Sequence, residues 1–162
     1  IGPCTAKKME IKQEDLKDAV DLVITFEELA AMLDAMNINL EECEDSALDN
    51  ASFYGRIFAR SGGVSEAVKQ IVEHEKIDVD FKAVQVDGLD DCARLAKAGK
   101  LDGNFIEGMA CKCGCIGGAA SLSHGPKDVT QVDKYGKLSK EKNSIDAISI
   151  FDLDGIELDR KM

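Results

Sequence analysis

The sequence predicts an α/β fold, with a mainly parallel sheet of about four strands flanked by helices. Three observations carry that prediction. Short apolar runs at 21–24, 79–86 and 104–108 read as buried strands. Between them lie segments whose apolar residues recur at helical spacing, so strands and helices alternate along the chain. Cap and turn residues (Thr25, Gly62-Gly63, Asp87-Gly88 and Gly99) punctuate the alternation.

Taken in order, Ile1-Gly2-Pro3-Cys4 opens with a turn signal, and Pro3 holds Cys4 in non-helical backbone. Lys7 and Lys8 follow, and a nearby cation lowers a thiol pKa. Asp21–Ile24 reads as the first strand. Thr25 with Glu28 matches a capping box, Phe26, Leu29, Ala30 and Leu33 form a helical face, and Asn37 is the expected stop. Residues 38–52 are acidic and irregular. Cys43 lies among carboxylates, which raise a thiol pKa, and reads as structural. Gly62-Gly63 opens a second helix carrying Val64, Ala67, Val68, Ile71 and Val72. Such a glycine pair is either plain flexibility or a set of free N–H groups facing an anion or a cluster. His74, late in that helix, reads as a surface residue.

The second strand spans 79–86, and a helix from Asp90 to Gly99 buries Cys92 as a small hydrophobe. A third strand, 104–108, leads into Cys111-Lys-Cys113-Gly-Cys115-Ile-Gly-Gly118. Sites in parallel sheets gather beyond the carboxyl ends of the strands, which is where this loop falls. Another helix is expected within 127–142, with Gly136 as a weak point. His124 precedes a Gly-Pro turn and reads as solvated rather than metal-bound. The stretch 147–158 suggests either a hairpin or an extended arm.

Composition narrows the function. A chain of 162 residues suffices for one domain, 1–162, that buries about two-thirds of its unfolded surface. The net charge of −11 argues against nucleic acid and against an anionic membrane surface. No apolar run approaches the roughly 18 residues of a membrane span, and no signal-peptide pattern is present, so a cytoplasmic location is expected. The absence of an initiating Met is expected of a processed chain or a piece of a larger one. Three of the six cysteines fall within five residues. Thiolates on a glycine-rich loop suit metal or cluster ligation, with redox disulfide chemistry and inert thiols as the alternatives.

Two cysteine runs and the glycine pair between them carry a family resemblance. Pro3-Cys4-Thr5-Ala6-Lys7-Lys8-Met9-Glu10 resembles the second signature of the iron-iron hydrogenase catalytic domain. Glu107-Gly-Met109-Ala-Cys111-Lys-Cys113-Gly-Cys115-Ile-Gly-Gly118 resembles the third, and Phe58-Ala-Arg-Ser-Gly62-Gly63-Val64 resembles the helix start between them. The resemblance runs from residue 1 to about 140. It implies one lobe, the C-terminal one, of a two-lobed catalytic domain, with 143–162 as an extended or hairpin tail.

The family's centre is a cubane 4Fe–4S cluster joined through one cysteine to a two-iron unit with carbonyl and cyanide ligands. By resemblance, Cys4 and Cys111 are cubane ligands and Cys115 bridges to the two-iron unit. Lys7 donates to a cyanide, and Met109 and Phe58 line the apolar pocket. Implied partners are H2 and protons as substrates, an electron-transfer protein such as ferredoxin, and the other half of the domain. The family's first signature, with the fourth cubane cysteine and a proton-shuttling cysteine, is not in these residues. This piece alone is therefore expected to be inactive, holding either zinc or no metal. Cys113 stands where the common pattern has glycine: a bystander, an extra ligand or a redox partner of Cys111. The run His124–Lys137 resembles a less-studied branch from anaerobes. A non-catalytic iron–sulfur relative is the second reading, and a Cys4 zinc module ranks last because Cys-x-Cys-x-Cys is unusual for zinc.

Overall fold

The computed structural model describes residues 1–17, 19–46, 51–149 and 155. Its elements run α1 (Lys7–Glu10), α2 (Phe26–Ala35), α3 (Phe53–Arg56), α4 (Gly63–His74), β1 (Ala83–Asp87), α5 (Leu89–Ala96), β2 (Phe105–Met109), α6 (Asp128–Lys137) and α7 (Ser144–Ile148). β1 and β2 pair in parallel, from Ala83 opposite Phe105 to Asp87 opposite Met109, with α5 as the crossover. Asn104 sets this register. Its side-chain oxygen accepts from the Lys82 N–H (2.8 Å) and its amide donates to the Asp80 carbonyl (3.0 Å). The Phe81 and Phe105 rings pack beside it at 5.4 Å.

Among the described residues the sheet has these two strands, not about four. The run 21–24 makes no ladder: Leu22 is 65 % exposed, and the Ile24 carbonyl accepts only from Gly2 N–H (3.2 Å). An apolar run becomes a strand only when a neighbouring edge satisfies its backbone, and none of the described residues supplies one here. The strand expected at 79–86 forms at 83–87, where β2 supplies that edge. At the other end, α7 replaces the start of the expected hairpin or arm, capped by the Asn143 side chain accepting from Asp146 N–H (2.7 Å). Residues 150–154 and 156–162 of that expected tail lie outside the described residues.

The helix signals translated directly. Thr25 and Glu28 form the reciprocal capping box of α2. Asn37 (φ 54°) closes it: the N–H of Ile38 reaches back to the Leu33 carbonyl (2.9 Å) and that of Asn37 to the Asp34 carbonyl (3.0 Å), the two bonds of a Schellman motif. The centre of packing is Ile57, which is fully buried between α3 and α6. Gly136 of α6 allows that approach, since a Cβ there would lie 2.9 Å from Ile57 Cγ2 and 3.0 Å from the Phe53 ring.

Large apolar side chains stay exposed on α2 (Phe26, Met32) and just beyond it (Met36, Ile38).

Candidate functional site

β2 ends at Met109, and the cysteine loop leaves the carboxyl edge of the sheet there. Backbone bonds between its own residues fold the loop on itself. Gly114 N–H donates to the Cys111 carbonyl (3.1 Å), and Cys115–Gly117 close a single 3-10 turn. Its position is set by two neighbours. On one side, Ser61 N–H donates to the Cys113 carbonyl (3.1 Å) and Ile116 N–H to the Ala59 carbonyl (3.0 Å). Gly114 (φ 87°) lies so close that a Cβ would come within 2.5 Å of Ser61 N. On the other side, Ala120 N–H donates to the Pro3 carbonyl (3.1 Å), and a Cβ on Gly118 would lie 2.4 Å from that oxygen. Gly118 therefore lets the loop sit directly against the backbone of residue 3, and Gly114 against that of Ser61.

This packing brings Cys4 to the loop across more than a hundred residues of chain. The Cys115 thiol is pushed above its ordinary pKa, first by burial and then by the neighbouring Cys4 and Cys111, while Lys7 opposes the shift. Cys4, Cys111, Cys115 and Lys7 thus share one electrostatic neighbourhood. Cys4 and Lys7 also line a cavity of about 370 Å3 walled by Ile11, Leu16, Val20 and Val23. Lys7 itself is exposed and paired with Glu10. Among the described residues, no three Cys, His, Asp or Glu side chains converge on one point tightly enough to hold a single metal ion.

The remaining cysteines lie elsewhere. Cys113 is exposed, with φ 64°, and its N–H donates to Asp87 (2.9 Å). It lines a different cavity, of about 320 Å3, together with His124. Asp87 accepts from the Ser61 hydroxyl, the Cys113 N–H and Lys112, which hold its carboxyl below the usual range against the opposing effect of burial. Cys92 donates to the Met109 carbonyl (3.5 Å) beneath the end of β2, and Cys43 is exposed. Met109 is half-buried. Phe58 is 46 % exposed, so these residues alone do not close a dry pocket around its ring.

Two residues important to the site's architecture had no role in the sequence reading. Arg60 is buried, donating to Asp133 of α6 (2.6 Å) and with both Nη2 contacts to Glu66 of α4 (3.0 Å). Glu107, in the middle of β2, is only 5 % exposed and accepts from Gly62 N–H (2.8 Å) and Ser65 N–H (2.7 Å). The anion at the Gly62-Gly63 helix start is the chain's own carboxylate. A charged residue inside the apolar run Phe105–Met109 was the available signal for Glu107; nothing comparable marked Arg60.

Comparison with known proteins completes the picture. The family described as iron only hydrogenase large subunit, C-terminal domain, matches residues 1–119. Iron hydrogenase 1 of Clostridium pasteurianum is 31% identical over 171 aligned positions, covering 82% of this chain and 30% of that protein. The NADP-reducing hydrogenase subunit HndD of Solidesulfovibrio fructosivorans is 30% identical over 160 positions, covering 76% of this chain and 27% of that subunit. The chain spans less than a third of the length of either relative.

Proposed function

This chain belongs to the iron-only hydrogenase large-subunit family, and on that premise we propose that it forms one lobe of a catalytic domain that interconverts protons and H2. The observation that carries the reading is that Gly118 and Ala120 pack on Pro3, which sets Cys4 beside the Cys111–Cys115 loop, with Lys7 in the same electrostatic neighbourhood. Thiolates carried by two separate motifs of the matched family suit an iron–sulfur cluster, whose ligands are spread over several irons. A lone tetrahedral zinc needs four donors aimed at a single centre.

Cys4 and Cys111 are the cubane ligands in this reading, and Cys115, held by the 3-10 turn, is the bridging thiolate. When bound, the centre supplies the iron and the electron exchange that the reaction requires. Lys7 contributes a cation at the rim of an apolar cavity, suited to donating to an anionic ligand such as cyanide once it leaves Glu10. Phe58 and Met109 become dry walls when a second lobe covers them. The fourth cubane thiolate and the proton relay come from outside these residues. The large exposed apolar surface supports such a covering lobe. Electrons arrive through a carrier protein such as ferredoxin.

Anaerobic reconstitution with iron and sulfide tests the ligand set. Cys4→Ser, Cys111→Ser and Cys115→Ser should each lower bound iron at least by about half, while Cys43→Ser leaves it unchanged. Equal iron in all four variants would sink the assignment. Hydrogen evolution by these 162 residues alone, after maturation, would sink the single-lobe reading.

A further inference from the structure

We propose that Glu107 is the positioning residue of the cysteine loop, a proposal that builds on reading this loop as the carrier of the iron ligands. Glu107 is the central residue of β2, four positions before Cys111. Its two oxygens are spent on the first turn of α4. One accepts from Gly62 N–H, the other from both the N–H and the hydroxyl of Ser65. The first N–H groups of a helix lack partners within the helix. At α4 the N-cap is Gly62, which has no side chain to offer them. A carboxylate from 45 residues away in the chain fills that need.

The consequence for the loop is geometric. The segment leading into α4 is the one that receives the loop, through the Ala59 carbonyl and the Ser61 N–H. Glu107 therefore ties the strand that launches the cysteines to the segment on which they land. Asp87 and Pro3 also hold the loop, and the Glu107 tie is the one that fixes its launching strand against its landing segment. Replacing the carboxylate by an amide sets an NH2 donor against N–H or O–H donors, turning an attraction into a clash of like groups.

The test uses the wild-type protein, Glu107→Gln and the milder Ser65→Ala, which removes the hydroxyl bond and keeps the backbone one. Amide hydrogen exchange is read at Ser61 and Ile116, with Leu29 of α2 as the internal reference. In Glu107→Gln, exchange at Ser61 and Ile116 should accelerate at least about tenfold while Leu29 stays unchanged. Ser65→Ala should show the same pattern at about threefold. After reconstitution, Glu107→Gln should bind less iron and show an altered EPR line shape. Exchange within about twofold of wild type at both loop reporters would overturn the proposal, as would equal acceleration at Leu29, which marks general destabilisation. If Glu107→Gln does not fold, the pattern in Ser65→Ala decides by the same criteria. If the wild type binds no iron, the iron–sulfur reading fails, and the exchange data still judge Glu107.

Discussion

Cys113 holds a backbone conformation, φ 64°, that costs a residue with a Cβ about 1–2 kcal/mol. Its strain is sustained by bonds on both sides, to Asp87 through its N–H and to Ser61 through its carbonyl. Glycine is the residue such a position favours, and part of the relief is lost to the greater freedom of glycine in the unfolded chain. Cys113→Gly should raise stability by roughly 0.5 kcal/mol in urea titration. Cys113 lines the cavity shared with His124 whereas Cys4 lines another, so reconstituted iron should be unchanged. A loss of iron would make Cys113 a ligand after all. The sequence already carried half of this: the departure from the family's glycine was visible, but the left-handed backbone that explains it was not.

Among the elements, α2 and α6 carry testable energetics. Glu28 is held below its ordinary pKa first by Lys8 and then by the Thr25 N–H of the capping box. Its folded pKa lies below its unfolded one, so its stabilising contribution is present above the unfolded value and is lost as pH falls through the folded value. A plot of melting temperature against pH should fall on its acid limb below about pH 4.5, and Glu28→Gln should flatten that limb. At α6, the packing against α3 leaves no room at Gly136. Gly136→Ala should destabilise by about 1–3 kcal/mol despite alanine's higher helix propensity, as measured by urea midpoint. The glycine that weakened the sequence case for this helix is what lets the helix pack.

For the whole molecule, the contrast is between what is buried and what is left open. With Phe26, Met32, Met36 and Ile38 left open on α2 and just beyond it, the urea m-value should fall below that of a compact domain of this length. A full-sized m-value would mean that the exposed apolar faces are covered in solution. Among the described residues no helix is long and apolar enough to cross a membrane.

The sequence by itself determined the features that depend on near neighbours: the Thr25 capping box, the Asn37 stop, the β1–α5–β2 unit and the cysteine motifs that mark the family. Tertiary structure alone decided that the cysteine loop packs on Pro3 and so lies beside Cys4, that among the described residues the run 21–24 pairs with no strand, and that the helix start at Gly62-Gly63 is filled by Glu107. The physical reason is range. Caps and helical faces are satisfied within a few residues, whereas a strand needs an edge and a buried carboxylate needs donors, and here each of these partners is supplied, or withheld, by chain tens of residues away.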